Sequence, residues 1–132
     1  TRRNPMGRYY SGDIEGKFWF GVQSSKDAEF FGGEGHQPEE INYWFTKESL
    51  SLIRQGIETC KKKLGKNNKR LDTFFDLNLM YNDEKLKEYW LSNHKEDIDI
   101  SHNLEWYARL LLGEQILECV EKQGDCSFTA EL

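Results

Sequence analysis

The feature of this sequence that most constrains its fold is a change in the spacing of apolar residues along the chain. They alternate near the two ends, over residues 8–23, 41–46 and 126–132, and recur every three or four residues in between. Alternation is typical of β-strands, and the longer period is typical of α-helices. Because terminal strands need partners to bury their apolar sides, we expect the last strand to return to the first.

The N-terminal alternation predicts a β-hairpin. Residues 8–11 and 17–23 fit extended strands, and the glycines and aspartate of residues 12–16 indicate a tight connection between them. Gly21 within the second strand indicates a bulge or a close approach of another group to the backbone, which would leave a shallow site beside Trp19. Two sets of side chains in this strand would face opposite sides: Phe18, Phe20 and Val22 on one, and Trp19, Gly21 and Gln23 on the other.

Capping residues divide the middle of the chain into helices. Serine, threonine and asparagine are typical of helix starts, and glycine is typical of helix ends. The last predicted helix carries a broad apolar stripe, so we expect it to be the central helix of the core. Residues 32–40 are rich in glycine and charge and are predicted to form a loop. The predicted helices cover residues 26–31, 47–64, 67–78, 83–91 and about 102–122.

Strand patterns at both ends with helices between them predict the α+β class. We expect a small antiparallel sheet of about four strands, made of the N-terminal hairpin, residues 41–46 and the C-terminal strand. The helical middle would pack against it as a two-layer sandwich. A chain of 132 residues is expected to form one domain, over residues 8–132, after an N-terminal extension of residues 1–7.

The three cysteines predict a reducing, intracellular setting. Their number is odd, and no apolar leader is visible near the start of the chain. Cys60 and Cys119 lie on apolar helix faces and are expected to be buried thiols, with a Cys119–Cys126 disulfide as the minor alternative. No cysteine spacing is typical of zinc, and no apolar run approaches the roughly 20 residues that a membrane span needs.

Charge is distributed unevenly around a net value of −5. Residues 47–70 carry 8 basic and 2 acidic side chains, whereas residues 71–132 carry 5 basic and 14 acidic ones. This bipolar pattern favours binding to another protein, or self-association through opposite charges. The overall acidity disfavours nucleic acid as a partner. The basic patch that nucleic acid would use consists of Lys61, Lys62, Lys63, Lys66, Lys69 and Arg70.

Aromatic residues make up 14% of the chain, and most are expected in the core. Some aromatic residues near the strands alternate out of step with the apolar side chains, which predicts an aromatic outer face on the sheet. Exposed aromatic rings on a sheet are typical of a contact surface. With the neighbouring loop they give the candidate partner- or ligand-binding residues: Tyr10, Trp19, Gly21, His36 and Trp44.

The sequence contains no pattern specific to one reaction, so we assign no catalytic residue and no cofactor. It has neither a phosphate-binding glycine loop nor a serine-nucleophile elbow. Residues 97–101 resemble the opening of a calcium loop, but His102 and Ala108 occupy the positions that need glycine and glutamate. A looser metal site of this turn with His94 and His102 is the alternative to a polar helix cap. We favour the cap and assign no metal.

Part of the chain carries a resemblance to known sequences. The run from Arg8 to Ser25 and the closing segments 104–109 and 119–132 resemble small uncharacterised proteins of phages, large DNA viruses and viral metagenomes. No activity is known for that group, so the resemblance implies no functional residue. It implies a small viral accessory or virion-associated protein, in the host cytoplasm or the virion.

These patterns favour a non-enzymatic protein-interaction module over an enzyme. It would act through the aromatic sheet face and the bipolar charged surface. The alternative is a small-ligand-binding protein or enzyme with a pocket between the sheet and residues 32–40. A second alternative is nucleic-acid binding through the Lys61–Arg70 cluster.

Overall fold

The computed structural model describes residues 8–19, 21–34, 40–77 and 81–131. Two short 3₁₀-helices, Asp27–Phe31 and Lys47–Ser49, accompany the regular elements. Those elements are β1 (Arg8–Gly12), β2 (Gly16–Phe18), β3 (Glu40–Thr46), α1 (Leu50–Leu64), α2 (Asn67–Leu77), α3 (Asp83–His94), α4 (Ile100–Gln123) and β4 (Asp125–Glu131).

The four strands form one antiparallel sheet in the order β2-β1-β4-β3. The last strand returns to the first, with Tyr10 opposite Ala130, and β3 pairs along the other side of β4, with Tyr43 opposite Phe128. The predicted α+β class and antiparallel sheet of four strands are therefore confirmed.

Alternation in the sequence correctly placed the inner face of the sheet. Every second residue of β3 is buried, and the same holds for Cys126, Phe128 and Ala130 in β4. These side chains share one hydrophobic core with α1, α2, α3 and α4. Helix α4 runs beside α1 and also contacts β3 and β4, so it lies at the centre of the molecule, as its apolar stripe predicted.

The second strand of the hairpin is shorter than predicted. It ends at Phe18, and the chain then turns: the backbone N–H groups of Val22 and Gln23 both donate to the Trp19 carbonyl oxygen, at 3.1 and 2.9 Å. Gly21 has φ +79°, a left-handed conformation that breaks an extended run and that glycine adopts without strain. The predicted alternation through residue 23 was therefore wrong, and Phe20 lies outside the described residues.

The Asp27–Phe31 3₁₀-helix is held between α1 and α4. Phe31 is fully buried, and a Cβ atom added to Gly56 of α1 would lie 2.6 Å from its ring. A Cβ atom on Gly113 of α4 would overlap the same ring. Two glycines on neighbouring helices thus make room for one phenylalanine, which locks this segment into the core.

A buried polar network fixes the segment between β2 and this 3₁₀-helix. Arg109 Nε of α4 donates to Asp27 Oδ1 at 2.7 Å, and Gln23 Nε2 donates to Asp27 Oδ2 at 2.9 Å. Arg8 of β1 donates to Ser25 Oγ and to the Gln23 carbonyl oxygen. Because every buried donor and acceptor of this group has a partner, the turn after Trp19 is held rigidly against α4.

Candidate functional site

The structure does not bring the five candidate binding residues to one face. Trp44 is 39% exposed on the outer face of β3, as predicted. Tyr10 points into the core and is buried, because it lies opposite the inward residue Ala130. Trp19 lies beyond the end of β2, on the helical side, and His36 is outside the described residues. The predicted aromatic outer face was therefore wrong for Tyr10 and Trp19.

The outer face that does exist carries two separated rings. Tyr9 of β1 is 37% exposed and points to the same outer face of the sheet as Trp44. Trp44 is opposite Ser127 of β4, whereas Tyr9 is level with Glu131, four residues further along the same strand. At about 3.4 Å per residue, that offset is roughly 13 Å. The two aromatic side chains thus do not form one patch.

Trp19 lies at the border between two clefts instead. Its ring packs edge-on against Phe75 of α2, with centroids 5.4 Å apart, and against Tyr107 of α4, with centroids 6.1 Å apart. The larger cleft, of about 630 Å³, is mainly apolar and reaches Tyr81 and Leu104. The smaller cleft, of about 500 Å³, opens on the other side of Trp19. Both volumes are in the range of ligand sites.

The smaller cleft is acidic, and we call it the acidic cleft. Three acidic residues are part of its lining: Glu15 from the hairpin turn and Glu114 and Glu118 from α4. Among the described residues of the lining, Lys17 alone is basic, and its ammonium lies 5.7 Å from the centre of the Tyr9 ring. The cleft is lined by Tyr10, Glu15, Gly16, Lys17, Trp19, Gln23, Ala108, Leu111, Glu114, Gln115 and Glu118.

Local structure explains the shape of this cleft. The Tyr10 hydroxyl donates to Gln115 Oε1 at 2.6 Å, and Gln115 Nε2 donates to the Glu15 carbonyl oxygen at 3.2 Å. A Cβ atom on Gly16 would lie 2.5 Å from the Tyr10 hydroxyl oxygen, so only glycine leaves room for this hydrogen bond. Burial raises the pKa of Tyr10 to about 12, which keeps its hydroxyl a donor at neutral pH.

Glu114 is the electrostatically unusual residue of the acidic cleft. Partial desolvation raises the pKa of its carboxyl group above the ordinary value; the charge of Lys61 acts in the opposite direction and that of Asp72 in the same direction. Within the described part of the chain, its carboxylate makes no hydrogen bond or ion pair. A cation brought into the cleft would therefore stabilise its charged form.

The predicted basic patch is divided by the fold. Lys66 and Arg70 both form ion pairs with Glu96, at 2.8 and 3.2 Å. Lys63 lies over the ring of Trp106, 5.7 Å from its centre. Half of the six cations thus already contact other parts of this chain, and Lys61, Lys62 and Lys69 make no ion pair within the described residues.

The acidic turn before α4 is a helix cap. Asp99 accepts a hydrogen bond from the backbone N–H of His102 at 3.1 Å, and Asp97 accepts one from the backbone N–H of Ile98. The half-buried imidazole of His94 packs edge-on against Trp90, with ring centroids 4.9 Å apart, and desolvation lowers its pKa. The favoured interpretation as a polar cap is confirmed.

The three cysteines are free, as predicted, and Cys60 and Cys119 are buried as expected. Cys126 is buried as well. Burial raises the pKa of Cys60 to about 12 and also raises that of Cys126, whose thiol contacts Cys119. The Cys119 thiol also lies 3.5 Å from the Asp125 carbonyl oxygen. The sequence offered a Cys119–Cys126 disulfide as the minor alternative; the fold brings these two cysteines together, and both are free.

Comparisons with protein families, with curated proteins and with solved structures find no match to this chain. The resemblance to viral proteins therefore stays a prediction. Among the described residues, no helix is long and apolar enough to cross a lipid bilayer.

Sequence reasoning missed the residues that distinguish the acidic cleft. In the sequence, Glu114 and Glu118 are two of the 14 acidic residues of segment 71–132, and Gln115 lies among the apolar residues of α4. The sequence does indicate that they point the same way, because positions 111, 114, 115 and 118 lie on one side of a helix. The contribution of Glu15 from the hairpin was not readable, because it depends on how the sheet packs against α4.

Proposed function

We propose that this protein is a non-enzymatic interaction module that binds a basic segment of another protein in the acidic cleft. The observation that supports this most directly is that Glu15, Glu114 and Glu118 line the same cleft as Trp19. A lysine or arginine side chain offers an aliphatic stem to the tryptophan and a charge to the carboxylates, so both parts of the lining would be used.

Electrostatics favour a cationic occupant over an anionic or neutral one. The three carboxylates of the cleft form no ion pair within the residues that the structure describes, while Arg109, Arg54, Lys66 and Arg70 are paired elsewhere. The last 62 residues also carry the acidic excess of the chain. Long-range attraction would steer a basic segment towards the cleft. Once bound, its positive charge would stabilise the charged form of Glu114.

The size of the cleft favours a short extended segment. About 500 Å³ holds one or two long side chains, and the hydrogen-bonded Tyr10–Gln115 pair forms a rigid wall before any partner binds. Preformed walls reduce the ordering cost of association. The protein-partner hypothesis from the sequence is thus kept, but its surface moves from the outer sheet face to the acidic cleft.

Calorimetry and NMR test this proposal with three probes: a short lysine- and arginine-rich peptide, a glutamate-rich peptide of equal length, and spermidine. We expect the basic peptide to bind at low salt, to lose affinity as salt rises, and to shift the Trp19 indole signal. The Trp19→Phe variant assigns that signal. The acidic peptide should not bind.

Matched charge variants locate the binding site. Glu114→Gln and Glu118→Gln should each weaken peptide binding about twofold to fivefold at low salt. Glu88→Gln removes the same charge from the exposed face of α3 and should leave affinity unchanged. Equal losses in all three variants, or equal binding of the acidic peptide, would contradict a specific cleft. Binding of spermidine without the peptide would contradict a protein partner.

A further inference from the structure

The molecule holds a second cluster of functional groups at the junction of α4 and β4. Cys119 lies in the last turns of α4, and Cys126 is the second residue of β4. Gly124 between them has φ +89°, so the chain reverses direction within a few residues and the two thiols face each other. Asp13, from the turn between β1 and β2, approaches the same point.

The three side chains offer ligand atoms at close range. Cys119 Sγ, Cys126 Sγ and a carboxylate oxygen of Asp13 all lie within 4.8 Å of one another. In a tetrahedral zinc site the bond lengths place two sulfur ligands about 3.8 Å apart. The observed upper limit of 4.8 Å exceeds that separation by about 1 Å.

We propose that Cys119, Cys126 and Asp13 bind a thiophilic divalent cation of the zinc type, with a fourth position open to water. Two sulfur donors and one oxygen donor suit zinc and the related ions cadmium and cobalt, whereas magnesium and calcium require oxygen ligands throughout. Each cysteine would bind as a thiolate, and its proton would pass to solvent. This site is independent of the acidic cleft.

The surroundings of Asp13 support a ligand role. Its Oδ2 atom accepts hydrogen bonds from the Ser127 backbone N–H at 2.8 Å and from Gln123 Nε2 at 2.9 Å. These two donors orient the carboxylate, and its other oxygen accepts no hydrogen bond from the described residues. Metal ligands are commonly oriented by such outer contacts. Asp13 is exposed, so an ion can reach the buried sulfurs from this side.

Cobalt titration of the reduced 132-residue chain under anaerobic conditions tests the site. Binding should produce the sulfur-to-cobalt charge-transfer band and the visible bands of tetrahedral cobalt, with one equivalent bound. Loss of one of two thiolates should reduce the charge-transfer band to roughly half or abolish binding. We expect this for Cys119→Ser and Cys126→Ser. Zinc should displace the cobalt and raise the midpoint of thermal unfolding.

Two further variants keep the test decisive. Cys60→Ser removes the remaining buried thiol, which lies on α1, and should leave the cobalt spectrum unchanged. Asp13→Asn removes the charge but keeps a side-chain oxygen that can accept the hydrogen bonds from Ser127 and Gln123, and it should weaken cobalt binding by about tenfold or more. Circular dichroism checks the fold of each variant.

Three results would overturn the metal site. The first is the absence of a charge-transfer band in the unsubstituted protein after full reduction. The second is an unchanged band in Cys119→Ser. The third is loss of the band in Cys60→Ser with the fold intact, which would place the ion elsewhere.

Discussion

The two sides of α4 differ in what their polar residues do. On one side Arg109 pairs with the buried Asp27, and Gly113 admits the Phe31 ring, so charge and space are both used within the fold. On the other side Glu114 and Glu118 border the acidic cleft without ion pairs in the described part of the chain. One helix thus separates residues that stabilise the protein from residues that remain available to a partner.

The difference follows from the cost of burying charge. An ionised group that loses water needs a partner of opposite charge, so a buried charge left alone is strongly destabilising. Glu114 avoids most of that cost because it stays at the surface, yet its raised pKa shows that part of its hydration is lost. Substitutions on the packed side should therefore change stability, and those on the cleft side should change binding.

The largest effect is expected at the buried ion pair. The Asp27→Ala substitution leaves Arg109 without its buried partner and should lower the free energy of unfolding by about 3–5 kcal/mol. Urea denaturation measures this. The control is Glu105→Ala, which removes the exposed partner of the same arginine and should cost about 0–1 kcal/mol. Similar losses in both variants would contradict the distinction between the two partners.

A smaller loss is expected from added volume on the packed side. A Cβ atom at position 113 would overlap Phe31, so Gly113→Ala should destabilise by about 1–3 kcal/mol in thermal or urea unfolding. Alanine is the better helix former by about 1 kcal/mol, which works in the opposite direction. The control is Gly113→Ala combined with Phe31→Leu, in which the overlap is relieved and the two effects should not add. Strict additivity would contradict the steric explanation.

The smallest effect on stability is expected at the cleft. Because the pKa of Glu114 is raised in the folded state, its charged form is destabilised there relative to the unfolded chain. The penalty is absent below the ordinary carboxyl pKa and grows as pH rises through the folded-state pKa. Glu114→Gln removes it, so the variant should gain stability relative to the parent as pH rises through that interval.

Unfolding curves at several pH values measure this gain, with Glu88→Gln as the control. Glu88→Gln removes the same charge from an exposed position of α3, and we expect the gain at rising pH to be larger for Glu114→Gln than for this control. A gain for Glu114→Gln that appears at acidic pH and fades toward neutral pH would contradict the direction of the shift.

Much of the fold was predictable because local patterns and tertiary packing agree. The alternation of Ile41, Tyr43 and Phe45 identified β3 and its inward side, and the apolar stripe of α4 identified the central helix. The hairpin shows where the agreement fails. Trp19 and Gly21 continue the alternation in the sequence, but the left-handed backbone at Gly21 ends the strand earlier.

The candidate sites were less predictable, since each combines residues from distant parts of the chain. The acidic cleft joins Glu15 to Glu114, and the thiol cluster joins Asp13 to Cys119. Neither pairing leaves a local pattern, because spacing within a helix or strand reports only on neighbours in the same element.

The sequence by itself determined the class of fold, the identity of the central helix and the inward sides of β3 and β4. Those properties depend on the period of apolar residues and on local capping, which each segment carries alone. Only the tertiary structure decided that Trp19 turns towards the helices, that Asp27 is paired and that Glu114 has no ion pair with any residue that the structure describes. Those outcomes depend on which elements pack together and on the hydration that each charge then loses.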